Sequence, residues 1–171
     1  MTASELRTRI EGEVLEPGDP AFEDARSLWN MRFDRRPDLV ARCSGSEDVA
    51  AAIDFARSRD MPLTVKAGGH SYAAHSVAGE GLLIDLGEVK TIDVDLDRKT
   101  ATIGPGVTCG MLDAATQEHG LATTTPTVSS VGVIGAALGV SRSEIRADPR
   151  QRHVGADGHG RWGHGGHRSR P

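Results

Sequence analysis

The stretch VKAGGHSYAAHS, residues 65–76, sets a cation, two glycines, two imidazoles and two serine hydroxyls directly after a short apolar run. Gly68 and Gly69 lack Cβ atoms, so both can take positive φ and turn successive main-chain N–H groups toward one point. Such a nest binds an anion, and phosphate is the usual guest. Lys66 would add charge, and Ser71 and Ser76 hydroxyl donors. The same residues also read as an ordinary Gly-Gly turn, and His70 as a surface imidazole or a buried one with its hydrogen bonds made. A second cluster, GPGVTCG at 104–110, follows a strand and opens a helix in the manner of a dinucleotide-binding turn. Pro105 interrupts it, its spacing is one residue too long, and no acidic strand end follows at the right distance. A nicotinamide site is therefore rejected; these glycines are expected to let strand and helix pack closely.

The elements that must position the 65–76 stretch follow from periodicity. Residues 1–36 read as a mostly helical lead-in, Ala3–Ile10 and Pro20–Leu28, broken at Pro17-Gly18. LVARC (39–43) is a short strand pattern. Ser46 sits where an N-cap belongs, with Glu47 and Asp48 in the first turn, where the helix dipole favours negative charge. Val49, Ile53 and Ala56 follow at helical spacing, Asp60 ends the helix, and LTV (63–65) is a second strand. Strand, helix, strand with short links makes a βαβ unit with parallel strands. GLLIDL (81–86), TIDVDL (91–96) and TATIG (100–104) are further strands, expected to form an antiparallel part through a hairpin at Asp97-Arg98-Lys99. Gly110–His119 reads as a helix closed by Gly120, TTTPTVSS (123–130) as a loop, and VGVIGAALG (131–139) as a small-residue helix or turn. The fold class is α+β: a small βαβ layer joined to an antiparallel sheet.

The 171 residues suffice for one ordinary core. Residues 1–139 hold 13 Lys and Arg against 21 Asp and Glu, a net −8; residues 140–171 hold 7 Arg against 3 acids, a net +4, with four of the seven His. An acidic body argues against nucleic acid as a partner. Cys43 and Cys109 are far apart and in no metal-ligand spacing, which suggests buried thiols in a reducing compartment and no metal site. MTASELRTRIEGE lacks the apolar centre of a signal peptide, and no apolar run is long enough to span a bilayer. The expectation is a soluble, cytoplasmic protein with no membrane partner.

The order of parts carries more than any part alone. PLTVKAGGHS (62–71) is followed by GLLIDLGEVKTIDVD, then TATIGPGVTCGMLDAAT, then HGLATTTPTVSSVGVIGAALG. In that order the chain, over residues 37–139, strongly resembles the flavin-binding domain of FAD-linked oxidases. The type is that of vanillyl-alcohol oxidase and p-cresol methylhydroxylase (the PCMH-type FAD-binding fold), and within it the berberine-bridge-like branch. The resemblance implies that the loop matching Lys66, Ala67, Gly68, Gly69, His70 and Ser71 wraps the FAD pyrophosphate with main-chain donors. It implies that the histidine matching His70 bonds covalently to the flavin ring, raising its redox potential. Thr127, Val128, Ser129, Gly132, Val133 and Gly135 match the loop beside the isoalloxazine and diphosphate. Small residues there allow close backbone approach, and N–H donors favour the anionic reduced flavin. That loop contains no Cys and Cys109 lies in another segment, so at most one covalent bond is expected. TTTP at 123–126 departs from the usual glycine pair. In an intact member a small organic substrate would pass hydride to FAD and dioxygen would reoxidise it.

After Gly139 the resemblance stops. VSRSEIRADPRQRHVGADGHGRWGHGGHRSRP shows no strand alternation and no helical stripe, and it is rich in Arg, Gly and His. An RNA-binding Arg/Gly tail would need interleaved aromatics beyond Trp162. A metal tract from His159, His164 and His167 would lack a second shell. A frame error is favoured: with G+C-rich codons assigned to Asp148–Arg168, reading one nucleotide later spells TLDNVMSVRMVTADGVTVVT, which resembles the family's next segment. The tail at 140–171 is thus expected to be disordered or frameshifted, and the fold incomplete at its C-terminal end. Weak or no FAD binding and no turnover are then expected of this chain. The alternative is a non-catalytic flavin- or nucleotide-binding module.

Overall fold

The computed structural model describes residues 3–139, 153–156 and 161–163. Contacts divide the chain into two compact units, residues 1–89 and 90–171. The α+β class holds: the first unit carries a four-stranded mixed sheet and the second a largely antiparallel one.

In the first unit the elements run α1 (Ala3–Arg7), β1 (Glu13–Leu15), α2 (Phe22–Arg26), β2 (Leu39–Arg42), α3 (Ser46–Arg57), β3 (Leu63–Lys66) and β4 (Leu82–Asp85). The sheet order is β1-β2-β4-β3, with β4 parallel to both β2 and β3 and β1 antiparallel to β2. Two sequence expectations are corrected here. The lead-in is not mostly helical: Glu13–Leu15 pairs with β2, and Gly12 enters so close that a Cβ there would lie 2.0 Å from the Arg42 carbonyl oxygen. The GLLIDL strand belongs to the parallel layer and not to an antiparallel part. All four of its residues are buried, as a parallel strand covered on both faces requires. Leu82 and Ile84 face α1 and α3 in one apolar cluster with Leu6, Val14, Ala52 and Phe55. Leu83 and Val40 face the other way, onto Phe22, Ala25 and Leu28.

The ends of α3 also differ from expectation. Gly45, not Ser46, is the N-cap, and no side chain caps the helix. The carboxylate of buried Asp48 instead accepts from the N–H and hydroxyl of Ser44 and from the N–H groups of Glu11 and Gly12, all within 3.0 Å. Burial opposes its ionisation, but these bonds win and hold the carboxyl below its ordinary range. At the far end Asp60 takes φ 52°, while Met61 N–H reaches the Ala56 carbonyl in a Schellman turn.

The second unit pairs β5 (Ile92–Asp95) with β6 (Thr100–Ile103) as the expected hairpin, then α4 (Cys109–Gln117), β7 (Ala122–Thr123) and α5 (Val133–Gly139). Thr108 caps α4 through its side chain, and Gly120 (φ 64°) closes it, with Leu121 N–H on the Thr116 carbonyl. Ala101, Val107, Cys109, Leu112 and Val133 form its core. No strand is legible after Gly139, yet β8 (His153–Ala156) and β9 (Arg161–Gly163) extend the sheet to the order β5-β6-β9-β8-β7. Main-chain pairing to the open edge of β6 needs no side-chain alternation. The rest of the tail, including His159, His164 and His167, lies outside the described residues.

Candidate functional site

Strand β3 ends at Lys66, and the connection 67–81 returns to start β4 beside it. The Lys66 side chain does not add charge to the loop. It is buried, its Nζ donates to the Ala25 carbonyl, and it lies 3.5 Å from the Asp85 carboxylate. The ammonium thus ties α2, β3 and β4 together beneath the loop. Of the glycine pair only Gly69 takes positive φ, 67°; Gly68 does not. Gly69 is buried, and its carbonyl accepts from Trp29 N–H at 3.1 Å.

Among the described residues, the N–H groups of Ala67, Gly68, Gly69, His70 and Ser71 donate no hydrogen bond. Five consecutive unpaired donors on a half-exposed loop form a surface that an anion can satisfy. His70 is half-buried, with Nδ1 2.9 Å from the Gly68 carbonyl oxygen. A carbonyl only accepts, so Nδ1 is the donor in this contact. The imidazole stacks on Trp29, ring centroids 6.0 Å apart and planes 18° from parallel. Ser71 Oγ accepts from His75 N–H at 3.1 Å and keeps its own proton to give. Ser76 Oγ is buried and, among the described residues, has no partner.

The second group of sequence-predicted residues lies in the other unit. Thr127, Val128 and Ser129 are exposed, Gly132 and Val133 are buried, and Gly135 is exposed with open space where a Cβ would stand. Main-chain bonds fix this loop: Cys109 N–H to Val131 O at 2.9 Å, Gly110 N–H to Ser129 O at 2.9 Å, and Val133 N–H to Val107 O at 3.0 Å. A Cβ on Gly110 would lie 3.0 Å from Ser129 Cβ. Gly110 of the 104–110 cluster therefore admits the 127–131 loop, where sequence suggested a strand–helix contact. The N–H groups of Thr127, Val128, Ser129 and Ser130 donate nothing among the described residues.

Both thiols are buried. Burial, with Asp48 and Asp85 adding to it, pushes Cys43 up to about 12, and burial then Asp113 raise Cys109. Neither is a ready nucleophile. Among the described residues no cluster of His, Cys, Asp or Glu could hold a metal, and no helix is long and apolar enough to cross a membrane.

A strand-end loop of unpaired amides on an α+β scaffold is an arrangement that can receive the phosphates of a nucleotide-type cofactor. Residues 37–148 match the FAD binding domain family, and the chain belongs to it, among the FAD-linked oxidases of the PCMH and berberine-bridge-like type. Its cofactor is FAD. The chain is 34% identical over 129 residues to (R)-6-hydroxynicotine oxidase of Paenarthrobacter nicotinovorans, covering 75% of this chain and 28% of that protein. It is similar to the solved structure of Physcomitrella patens BBE-like 1, with TM-score 0.76 and 25% identity over 81% of this chain and 31% of that one. It is likewise similar to glucooligosaccharide oxidase from Acremonium strictum, whose structure concerns a 6-S-cysteinyl, 8α-N1-histidyl FAD. There the TM-score is 0.73 and the identity 28%, over 81% of this chain and 30% of that one. The chain thus spans between 16% and 30% of the length of the curated relatives it matches.

The residues present fit a dinucleotide diphosphate: the amides at 67–71 and the buried Ser76 hydroxyl are donors without a partner among the described residues. Sequence reading missed Ala25, Trp29 and Asn30, which hold this loop from α2 and the turn after it. Their only linear signal is a Trp-Asn pair behind a short helix, and their pairing with residues 66–72 is a matter of tertiary placement.

Proposed function

We propose that this chain is the FAD-binding portion of an oxidase that takes hydride from a small organic substrate. In this reading the amides of Ala67–Ser71 cradle the diphosphate and His70 is the covalent attachment residue. Thr127, Val128, Ser129, Gly132, Val133 and Gly135 supply the face beside the flavin ring, and Lys66 braces the loop from below. FAD supplies the two-electron chemistry when bound, accepting hydride and passing the electrons to dioxygen. The observation that carries the reading is the run of five unpaired amides, which water or an anion must satisfy. The FAD named for the Acremonium strictum enzyme is linked both to a cysteine and to a histidine; its histidyl bond supports the His70 role, and the lack of a Cys in the 127–135 loop supports a single link here.

In this reading the chain by itself holds FAD weakly and turns over no substrate. A frame change in the tail remains part of this reading, although the family match runs on to residue 148 and residues 153–156 and 161–163 pair into the sheet. Sequencing the gene tests this, and codons incompatible with the shifted peptide end the idea. The functional reading is tested by incubating purified protein with FAD, then running denaturing gel filtration. A flavin absorbance band, substoichiometric but retained by the denatured chain and lost in His70→Ala, is expected. Colourless wild-type protein after the same treatment overturns the histidyl assignment.

A further inference from the structure

We propose that Trp29 and Asn30 are positioning residues that hold His70 and its loop in the binding geometry; this rests on the FAD reading above. The segment Ala25–Asn30 touches the loop at successive points. The Ala25 carbonyl takes the Lys66 ammonium. The Ser27 carbonyl lies 3.4 Å from where a Cβ on Gly69 would stand. Trp29 N–H donates to the Gly69 carbonyl at 3.1 Å, and Asn30 Nδ2 donates to the Tyr72 carbonyl at 2.8 Å.

These bonds fix two loop carbonyls on either side of His70. Holding the Gly69 carbonyl on Trp29 points the N–H of the same planar trans peptide, that of His70, the opposite way, out of the bond. The Trp29 indole then stacks on the imidazole, 18° from parallel, and limits its rotation about χ2. Trp29 is 61% exposed, so it stabilises the fold little by burial. The large aromatic is explained by the ring it holds. With Nδ1 against the Gly68 carbonyl and one ring face against the indole, the imidazole has one orientation. Trp29 and Asn30 precede residue 37, where the family match begins, so they extend the site into the lead-in segment.

The test uses the full chain and two readouts. In NMR of the flavin-free protein, cross-relaxation peaks between the Trp29 indole and His70 ring protons are expected. They should be lost in Trp29→Ala and kept, to the phenyl ring, in Trp29→Phe. In titrations with free FAD, Trp29→Ala is expected to raise Kd about tenfold, Asn30→Ala about threefold, and Trp29→Phe less than about twofold. Absence of the indole–imidazole peaks, or equal affinity of wild type and a folded Trp29→Ala, overturns the positioning role and leaves the FAD reading standing. If wild-type protein shows no saturable FAD signal, the FAD reading falls, and the NMR peaks alone then decide whether the clamp exists.

Discussion

The two candidate loops present unpaired amides in the same way but are held by different means. The 67–72 loop is pinned largely by side chains: Lys66 on the Ala25 carbonyl and Asp85, Asn30 on the Tyr72 carbonyl, Trp29 on His70. Among the described residues, the hydrogen bonds that pin the 127–131 loop are main-chain ones, to Cys109 and Gly110, with Val131 packed against the core beside them. Side-chain anchoring makes the first loop dependent on residue identity well outside its own sequence. Main-chain anchoring makes the second tolerant of its own side chains and dependent on the space that Gly110 leaves.

This contrast orders the expected effects of substitution. Lys66→Ala leaves the buried Asp85 carboxylate with only Arg42 at 3.8 Å and the Gly87 N–H, and should cost about 3 kcal/mol, the low end for a broken buried pair, in denaturant unfolding of the first unit. A cost under about 1 kcal/mol would show that the first loop is not anchored this way. Asp48→Ala removes the charged acceptor of four bonds between the β1 entry, Ser44 and α3, at about 2–3 kcal/mol. Its folded pKa is depressed, so its stabilisation is full above the unfolded carboxylate value, about 3.9, and fades as pH falls from there through the folded value. Acid titration of stability should lose this component in Asp48→Asn. Gly69→Ala forces a side chain into φ 67° and should cost about 1–2 kcal/mol while weakening FAD binding.

The smallest effects belong to the second loop. Gly110→Ala must displace Ser129 by a few tenths of an ångström and should cost about 1 kcal/mol. Val128→Ala, at a position 53% exposed, should change unfolding free energy by less than about 0.5 kcal/mol. If Val128→Ala proved costlier than Lys66→Ala, the contrast between the loops would be reversed.

Much of this was legible in the linear sequence because local pattern and tertiary role agree. The β2–α3–β3 unit, the hairpin at 97–99 and the Gly120 stop all follow from periodicity and turn chemistry. Where they disagree, sequence misled. Leu82–Asp85 carries no mark of its partners, and only the 67–81 crossover puts it between β2 and β3. Lys66 looks like a phosphate ligand in a string and becomes a buried brace because β3 aims its side chain toward α2. Trp29 and Asn30 lie some 40 residues from the loop they hold, a pairing that no spacing rule encodes.

The most direct measurement is an amide-resolved NMR titration of the full chain with FAD. Amides of Ala67, Gly68, Gly69, His70 and Ser71 should shift together and saturate with one Kd, with those of Thr127–Ser130 following. A saturating titration in which residues 67–71 stay unmoved while amides elsewhere respond would contradict the assignment of the diphosphate to this loop.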